Sequence, residues 1–127
     1  MKINHIAVYV RDLELTKVFY EKYFNATANN LYHNPKTGLR TYFLTFEGGT
    51  RLEIMHKPDL PEIGISGEHL GYIHLAFSVG RKSAVDALTE RLRNDGYTVL
   101  SEPRTTGDGY YESCVADPDG NRIEIVE

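Results

Sequence analysis

The sequence predicts an α+β fold made of two βαβββ modules in tandem, and two repeated phrases carry that prediction. Arg51-Leu-Glu-Ile54 returns as Arg122-Ile-Glu-Ile125, and His5-Ile-Ala-Val-Tyr-Val10 returns as His74-Leu-Ala-Phe-Ser-Val79. His5 to His74 is 69 residues and Glu53 to Glu124 is 71, so one shift of about half the chain matches both pairs. Self-similarity at a fixed offset marks a duplicated structural unit. Each unit opens on a strand bearing a histidine and closes on a strand bearing a glutamate.

The elements follow in order. Residues 3–10 alternate, with Ile6, Val8 and Val10 on one face and His5, Ala7 and Tyr9 on the other, the period of a strand buried on one side. Asp12 suits the N-cap of a helix whose Leu15, Val18, Phe19, Lys22 and Tyr23 fall on one face. Asn25 and residues 27–30 end it, and 33–38 reads as a loop. Residues 39–46 are aromatic and β-branched, a strand. Gly48-Gly49 turns that strand into the next, residues 50–56, where Leu52 and Ile54 oppose Arg51, Glu53 and Met55.

The composition shifts at 57–69, with Pro58, Pro61, Gly64 and Gly67, and the module boundary is expected there. Module one spans about 1–60 and module two about 70–127 of a single domain. Residues 71–79 form a strand with Tyr72, His74, Ala76 and Ser78 on one face. Ser83 is the expected cap of a second helix, with Asp86 at capping-box spacing. Val85, Leu88 and Leu92 mark its buried side and Gly96 its end. Strands are expected at 97–100, 110–116 and 121–126, with turns at 107–109 and 117–120.

Composition narrows the function classes. At 127 residues, 41% hydrophobic and 25% charged, the chain has the makeup of one globular domain. A net charge of −4 gives no basic face for nucleic acid or an anionic membrane. The single cysteine, Cys114, excludes an intrachain disulfide and fits a reducing compartment. No apolar run of secretory or membrane-spanning length precedes the first strand. The expectation is a cytoplasmic protein.

Side chains two apart on a strand share a face. His5, Glu53, His74 and Glu124 all oppose the apolar residues of their strands, so they line the face turned away from the helices. Two such sheets can curl so that this face becomes the inside of a trough. A lone outward histidine or glutamate is ordinarily a solvated side chain. Here two metal-competent residue types recur at nearly one offset on the matching face, and two His with two Glu is a divalent-metal ligand set. His33, His56 and His69 sit in or beside loops and are expected at the surface. Cys114 is expected to be a small buried strand residue with no base partner.

With Phe19-Tyr20, residues 71–79 and Asp117-Pro-Asp-Gly120 added to the ligand phrases, the sequence resembles the vicinal oxygen chelate (VOC) superfamily over its full length. That superfamily includes glyoxalase I, bleomycin-resistance proteins, fosfomycin-resistance transferases, extradiol dioxygenases and methylmalonyl-CoA epimerase. The resemblance implies the glyoxalase/bleomycin resistance/dioxygenase fold, a curved sheet around a metal site. It implies metal ligands His5, Glu53, His74 and Glu124 for Ni, Zn, Co or Mn. The acid at the end of module one is the glyoxalase I and epimerase pattern, implying a lyase or isomerase that works by proton transfer. The substrate would be a small molecule with vicinal oxygens, such as a thiol–methylglyoxal adduct. Glu124 is the first candidate for the catalytic base and Glu53 the second, with Tyr9 and Tyr72 as candidate substrate-binding residues. Tyr9 stands where similar bacterial glyoxalases carry a glutathione-contacting arginine. A C2 homodimer is expected by the same resemblance. Two other classes stay open: a metal-free binder of a drug or metabolite, as in bleomycin resistance, and a thiol transferase of the fosfomycin-resistance type.

Overall fold

In the computed structural model of the chain, residues 3–61 and 71–127 are described. The chain divides into two compact units, Met1–Ile63 and Gly64–Glu127. The first contains β1 (Ile6–Tyr9), α1 (Leu13–Phe24), β2 (Thr27–Ala28), β3 (Tyr32–His33), β4 (Arg40–Thr45) and β5 (Arg51–His56). The second contains β6 (His74–Ser78), α2 (Lys82–Asn94), β7 (Val99–Thr105), β8 (Tyr111–Ala116) and β9 (Arg122–Val126). The predicted βαβββ plan holds in both, with the two-residue β3 added in the first. His33, expected in a loop, belongs to that added strand. Most of the predicted 57–69 linker, His69 included, lies outside the described residues.

Each sheet places its histidine strand beside its glutamate strand. β1 runs parallel to β5 with Ala7 opposite Glu53, and β6 runs parallel to β9 with Ala76 opposite Glu124. The antiparallel partners β4 and β8 lie on the other side of β5 and β9. The sheet orders are β1-β5-β4-β2, with β3 also on β4, and β6-β9-β8-β7. Strand alternation sends Leu52, Ile54, Ile123 and Ile125 into the cores, each almost fully buried. Burial of each such side chain contributes about 1.5–3 kcal/mol.

The first helix is capped as expected. Asp12 Oδ1 accepts from the Leu15 N–H at 2.9 Å, and Asn25 closes the end in the left-handed conformation. Its buried face differs from the predicted one. Leu13, Thr16, Phe19, Tyr20 and Tyr23 are buried, whereas Leu15 and Val18 are about half exposed. The observed face adds the Tyr20 ring to Phe19 and Tyr23, which removes more apolar surface from water than Leu15 or Val18 would. Phe19 packs against Tyr20 and Tyr23 at centroid distances of 5.1 and 5.3 Å.

The second helix begins earlier than predicted. Arg81 is its N-cap residue, the Ala84 and Val85 N–H groups donate to the Arg81 carbonyl, and Ser83 falls inside the first turn. Asp86 is no capping-box partner; its carboxylate accepts the Tyr111 hydroxyl at 2.7 Å. Val85 and Leu92 are buried and Leu88 is only partly so, with Thr89 taking the central place. Thr89 donates to the Val85 carbonyl at 2.7 Å, and its Oγ1 lies 2.6 Å from Ser113 Oγ. Gly96, at φ 89°, turns the chain so that the Tyr97 N–H donates to the Leu92 carbonyl, a helix end that favours glycine. The strand predicted at 97–100 runs instead from Val99 to Thr105.

Candidate functional site

In the first unit the strand order β1-β5-β4 sets His5, Glu53 and Phe43 side by side on the face away from α1. His5 Nε2 lies 3.6 Å from Glu53 Oε2. Phe43 stands opposite Glu53 across the ladder and meets the His5 ring edge-on at 5.2 Å. The guanidinium of Arg51 lies 4.8 Å from the Phe43 centroid and donates to Asn4 Oδ1. An arginine can only donate, so the Asn4 atom it meets is the amide oxygen. That oxygen also contacts His5 Nδ1 at 2.9 Å. Nδ1 therefore donates to Asn4, and Nε2 is the ring nitrogen turned toward the carboxylate.

In the second unit His74 Nδ1 lies 3.2 Å from Glu124 Oε1. Cys114 stands opposite Glu124, and Ser101 opposite Cys114. Burial pushes the Glu124 carboxyl above its ordinary range; Glu112 adds to this, while His74, Arg104 and Arg122 oppose it. Burial also raises the Cys114 thiol, and the charge of Glu124 raises it further. Cys114 is buried as expected, at 7% exposure, but it borders the candidate site.

A cation bonded at about 2.1 Å to two donors holds them about 3.0 Å apart at a right angle and about 3.4 Å apart in a tetrahedron. The two His–Glu separations are close to that span, and imidazole with carboxylate suits a borderline divalent cation. The donors of each pair thus fit such a cation. Each unit brings one histidine to one glutamate, and among the described residues no three or more His, Cys, Asp or Glu side chains gather as a metal-holding group.

Tyr9, a candidate substrate contact, is half exposed, and Tyr72, just before β6, is 94% exposed. Arg51 and Arg122 share the parity of the glutamates, and the Arg51 guanidinium meets the Asn4 amide oxygen. His56, expected at the surface, is half-buried at the end of β5, its Nδ1 3.1 Å from the Val10 carbonyl. Asn4, Phe43 and the Cys114 neighbourhood were missed by sequence reasoning. One signal existed: Phe43 and Cys114 each precede their glutamate by the same ten residues.

Residues 2–125 match the sequence profile of the Glyoxalase/Bleomycin resistance protein/Dioxygenase superfamily. The uncharacterized protein YqjT of Bacillus subtilis is 30% identical over 132 aligned positions, covering 98% of this chain and 97% of its own. A glyoxalase family protein from Enterococcus faecalis of known crystal structure is 27% identical and superposes with a TM-score of 0.81, over 99% of this chain and 97% of that one. The trypanothione-dependent glyoxalase I of Leishmania major shares the fold at 22% identity, with a TM-score of 0.79 over 100% of this chain and 86% of its own. Among the described residues no helix is long and apolar enough to cross a membrane. The paired βαβββ plan, the repeated His–Glu pairs and the full-length match lead to one conclusion: the chain belongs to the Glyoxalase/Bleomycin resistance protein/Dioxygenase superfamily.

Proposed function

We propose that this protein is a metal-dependent, glyoxalase-like lyase or isomerase acting on a small substrate with vicinal oxygens. The observation that carries this reading is the meeting of one histidine with one glutamate, repeated in each unit. Asn4 engages Nδ1 of His5, which leaves Nε2 and the Glu53 carboxylate 3.6 Å apart, a separation that a shared divalent cation would span. His5, Glu53, His74 and Glu124 are the proposed ligands of Ni, Zn, Co or Mn, in a homodimer of a cytoplasmic enzyme. Bound there, a divalent cation would polarise the substrate oxygens and offset the charge that develops as the neighbouring C–H ionises.

The residues of the chain do the proton work. Glu124 takes the proton from one carbon and returns it to its neighbour, so substrate and product differ only in the position of hydrogen. Its burial raises the carboxyl, which suits a group that must both accept and release a proton. Glu53 is the second candidate for this role. Tyr9 and Tyr72, both exposed, supply rings and hydroxyls for substrate contact. A thiol–methylglyoxal adduct is the proposed substrate, and the trypanothione dependence of the Leishmania enzyme supports a thiol co-substrate of some kind.

The test is elemental analysis of protein purified without chelator, followed by turnover of methylglyoxal with glutathione and a panel of other thiols. A bound divalent cation is expected, and Glu53→Gln and His74→Ala are each expected to lose it. Metal content unchanged in both variants overturns the ligand assignment. Metal bound without turnover of any adduct overturns the proposed substrate and moves the reading to a different isomerase; no metal with tight drug binding moves it to the resistance-type binder.

A further inference from the structure

β7 breaks register with β8 twice. Val99 pairs with Val115 and Ser101 with Cys114, so two steps on β7 match one on β8. From Ser101 to Arg104 is then three steps, against two from Cys114 to Glu112. Each extra residue is a bulge, which reverses the alternation of every side chain after it. The second bulge contains Pro103, which has no N–H to offer a ladder. Under plain alternation Arg104 would share the face of Glu102, whose carboxylate is held by Arg93 of α2 at 2.7 and 3.0 Å. The bulge instead sets Arg104 opposite Glu112, on the face that carries Glu124.

Two rows result. Ser101, Cys114 and Glu124 cross β7, β8 and β9, and two residues further along β8 and β9 Arg104, Glu112 and Val126 do the same. Arg104 Nε donates to Ser101 Oγ at 3.3 Å, and its Nη2 lies 4.0 Å from Glu112 Oε1. The second distance is too long for a hydrogen bond. Two neighbours thus orient the guanidinium, yet its outer edge stays open, and the side chain is 57% exposed. A planar guanidinium held in this way is suited to a carboxylate taken in a fork.

We propose that Arg104, turned onto the Glu124 face by the β7 bulge, binds a carboxylate of the substrate, which makes the preferred substrate an anionic adduct. The two rows are about 7 Å apart along the strand direction, which sets the distance from the reacting oxygens to that carboxylate. This rests on the reading of Glu124 as part of the reaction centre. Glu112 opposes the incoming anion by its charge, and Glu112→Gln removes that charge while keeping the side chain's shape beside the guanidinium, so this change strengthens anion binding or leaves it unchanged.

The probes are 2-hydroxyglutarate and 2-hydroxyvalerate, which share the vicinal-oxygen end and differ in a terminal carboxylate against a methyl. Calorimetry on protein purified without chelator is expected to give at least tenfold tighter binding of 2-hydroxyglutarate. Arg104→Gln is expected to bring both probes to the same affinity and leave 2-hydroxyvalerate unaffected; Glu112→Gln keeps or widens the preference. Equal affinities in the wild type, or a preference that survives Arg104→Gln, overturn the proposal. The Arg104 Nε–Hε resonance supplies a readout that needs no metal. It is expected to move with 2-hydroxyglutarate and not with 2-hydroxyvalerate even in chelator-treated protein. An unmoved resonance overturns the subsite, whereas loss of metal binding alone overturns only the reaction proposed above.

Discussion

The two units carry the same strand order and the same His–Glu pair, and they differ in what the third strand sets beside the glutamate. In the first unit that neighbour is Phe43, packed against the His5 ring and beneath Arg51. In the second it is Cys114, flanked by Ser101 and bordered by Glu112 and Arg104. The helix sides differ in the same way. Phe19, Tyr20 and Tyr23 fill the first unit with aromatic rings, while the second closes its helix on a pair of hydroxyls, Thr89 and Ser113. A duplicated fold keeps the glutamate strand because both of its faces are committed, one to the core and one to the pair. The adjoining strand is free to diverge, giving one module an aromatic wall and the other a polar floor.

The largest effect is expected in the aliphatic core that both units have in common. Ile54→Ala and Ile125→Ala remove equivalent, fully buried side chains, and each is expected to cost about 2–5 kcal/mol. Urea denaturation checks both the size and the coupling of the units. A single transition in both variants means that the units unfold together; a transition that splits means that each half stands alone. A smaller effect is expected where the helix sides differ. Ser113→Ala leaves Thr89 with its Val85 partner but removes the buried hydroxyl beside it, at a cost of about 1 kcal/mol. A loss above the range for Ile125→Ala would show that the hydroxyl pair, and not the aliphatic core, organises the second unit.

The smallest effects are pH-dependent and of opposite sign in the two units. Burial raises the Asp117 carboxyl, although the Asn121 side chain and the Asn121 and Asp119 N–H groups donate to it and pull the other way. The folded state therefore holds this proton more tightly than the unfolded chain does. The stability that the proton brings is present below the unfolded value of about 3.9 and is lost as pH rises through the folded one. In the first unit Lys17 and the Tyr42 hydroxyl hold the Glu14 carboxyl below its ordinary range. Its contribution is present above the unfolded value of about 4.3 and is lost as pH falls through the folded one. Urea midpoints measured across this acid range should show Glu14→Gln losing its penalty on acidification. Asp117→Asn should lose ground to the wild type as pH falls, and the reverse trend in either variant contradicts the assignment.

The four candidate ligands were legible because a strand repeats every two residues. Parity alone separates His5 and Glu53 from Ile6 and Ile54, and the internal repeat supplies an independent check. The helix faces were less legible. Leu15 and Val18 have helical spacing as good as that of Thr16 and Tyr20, and only the sheet decides which set is buried. Ser83 shows the same limit at a helix start: a good capping residue is passed over when the preceding chain already enters the helix at Lys82.

By itself, the sequence determined the duplicated βαβββ plan, the boundaries of most strands and the sheet face that bears each histidine and glutamate. These follow from local periodicity and from phrases long enough to recognise twice. Only the tertiary structure decided which residues on other strands stand beside them. Phe43, Cys114 and Asn4 acquire their places through ladder register and side-chain contact, and Arg104 reaches its face through an added residue in β7. A bulge exists only relative to the partner strand, so no reading of one strand's own alternation can reveal where the next side chain points.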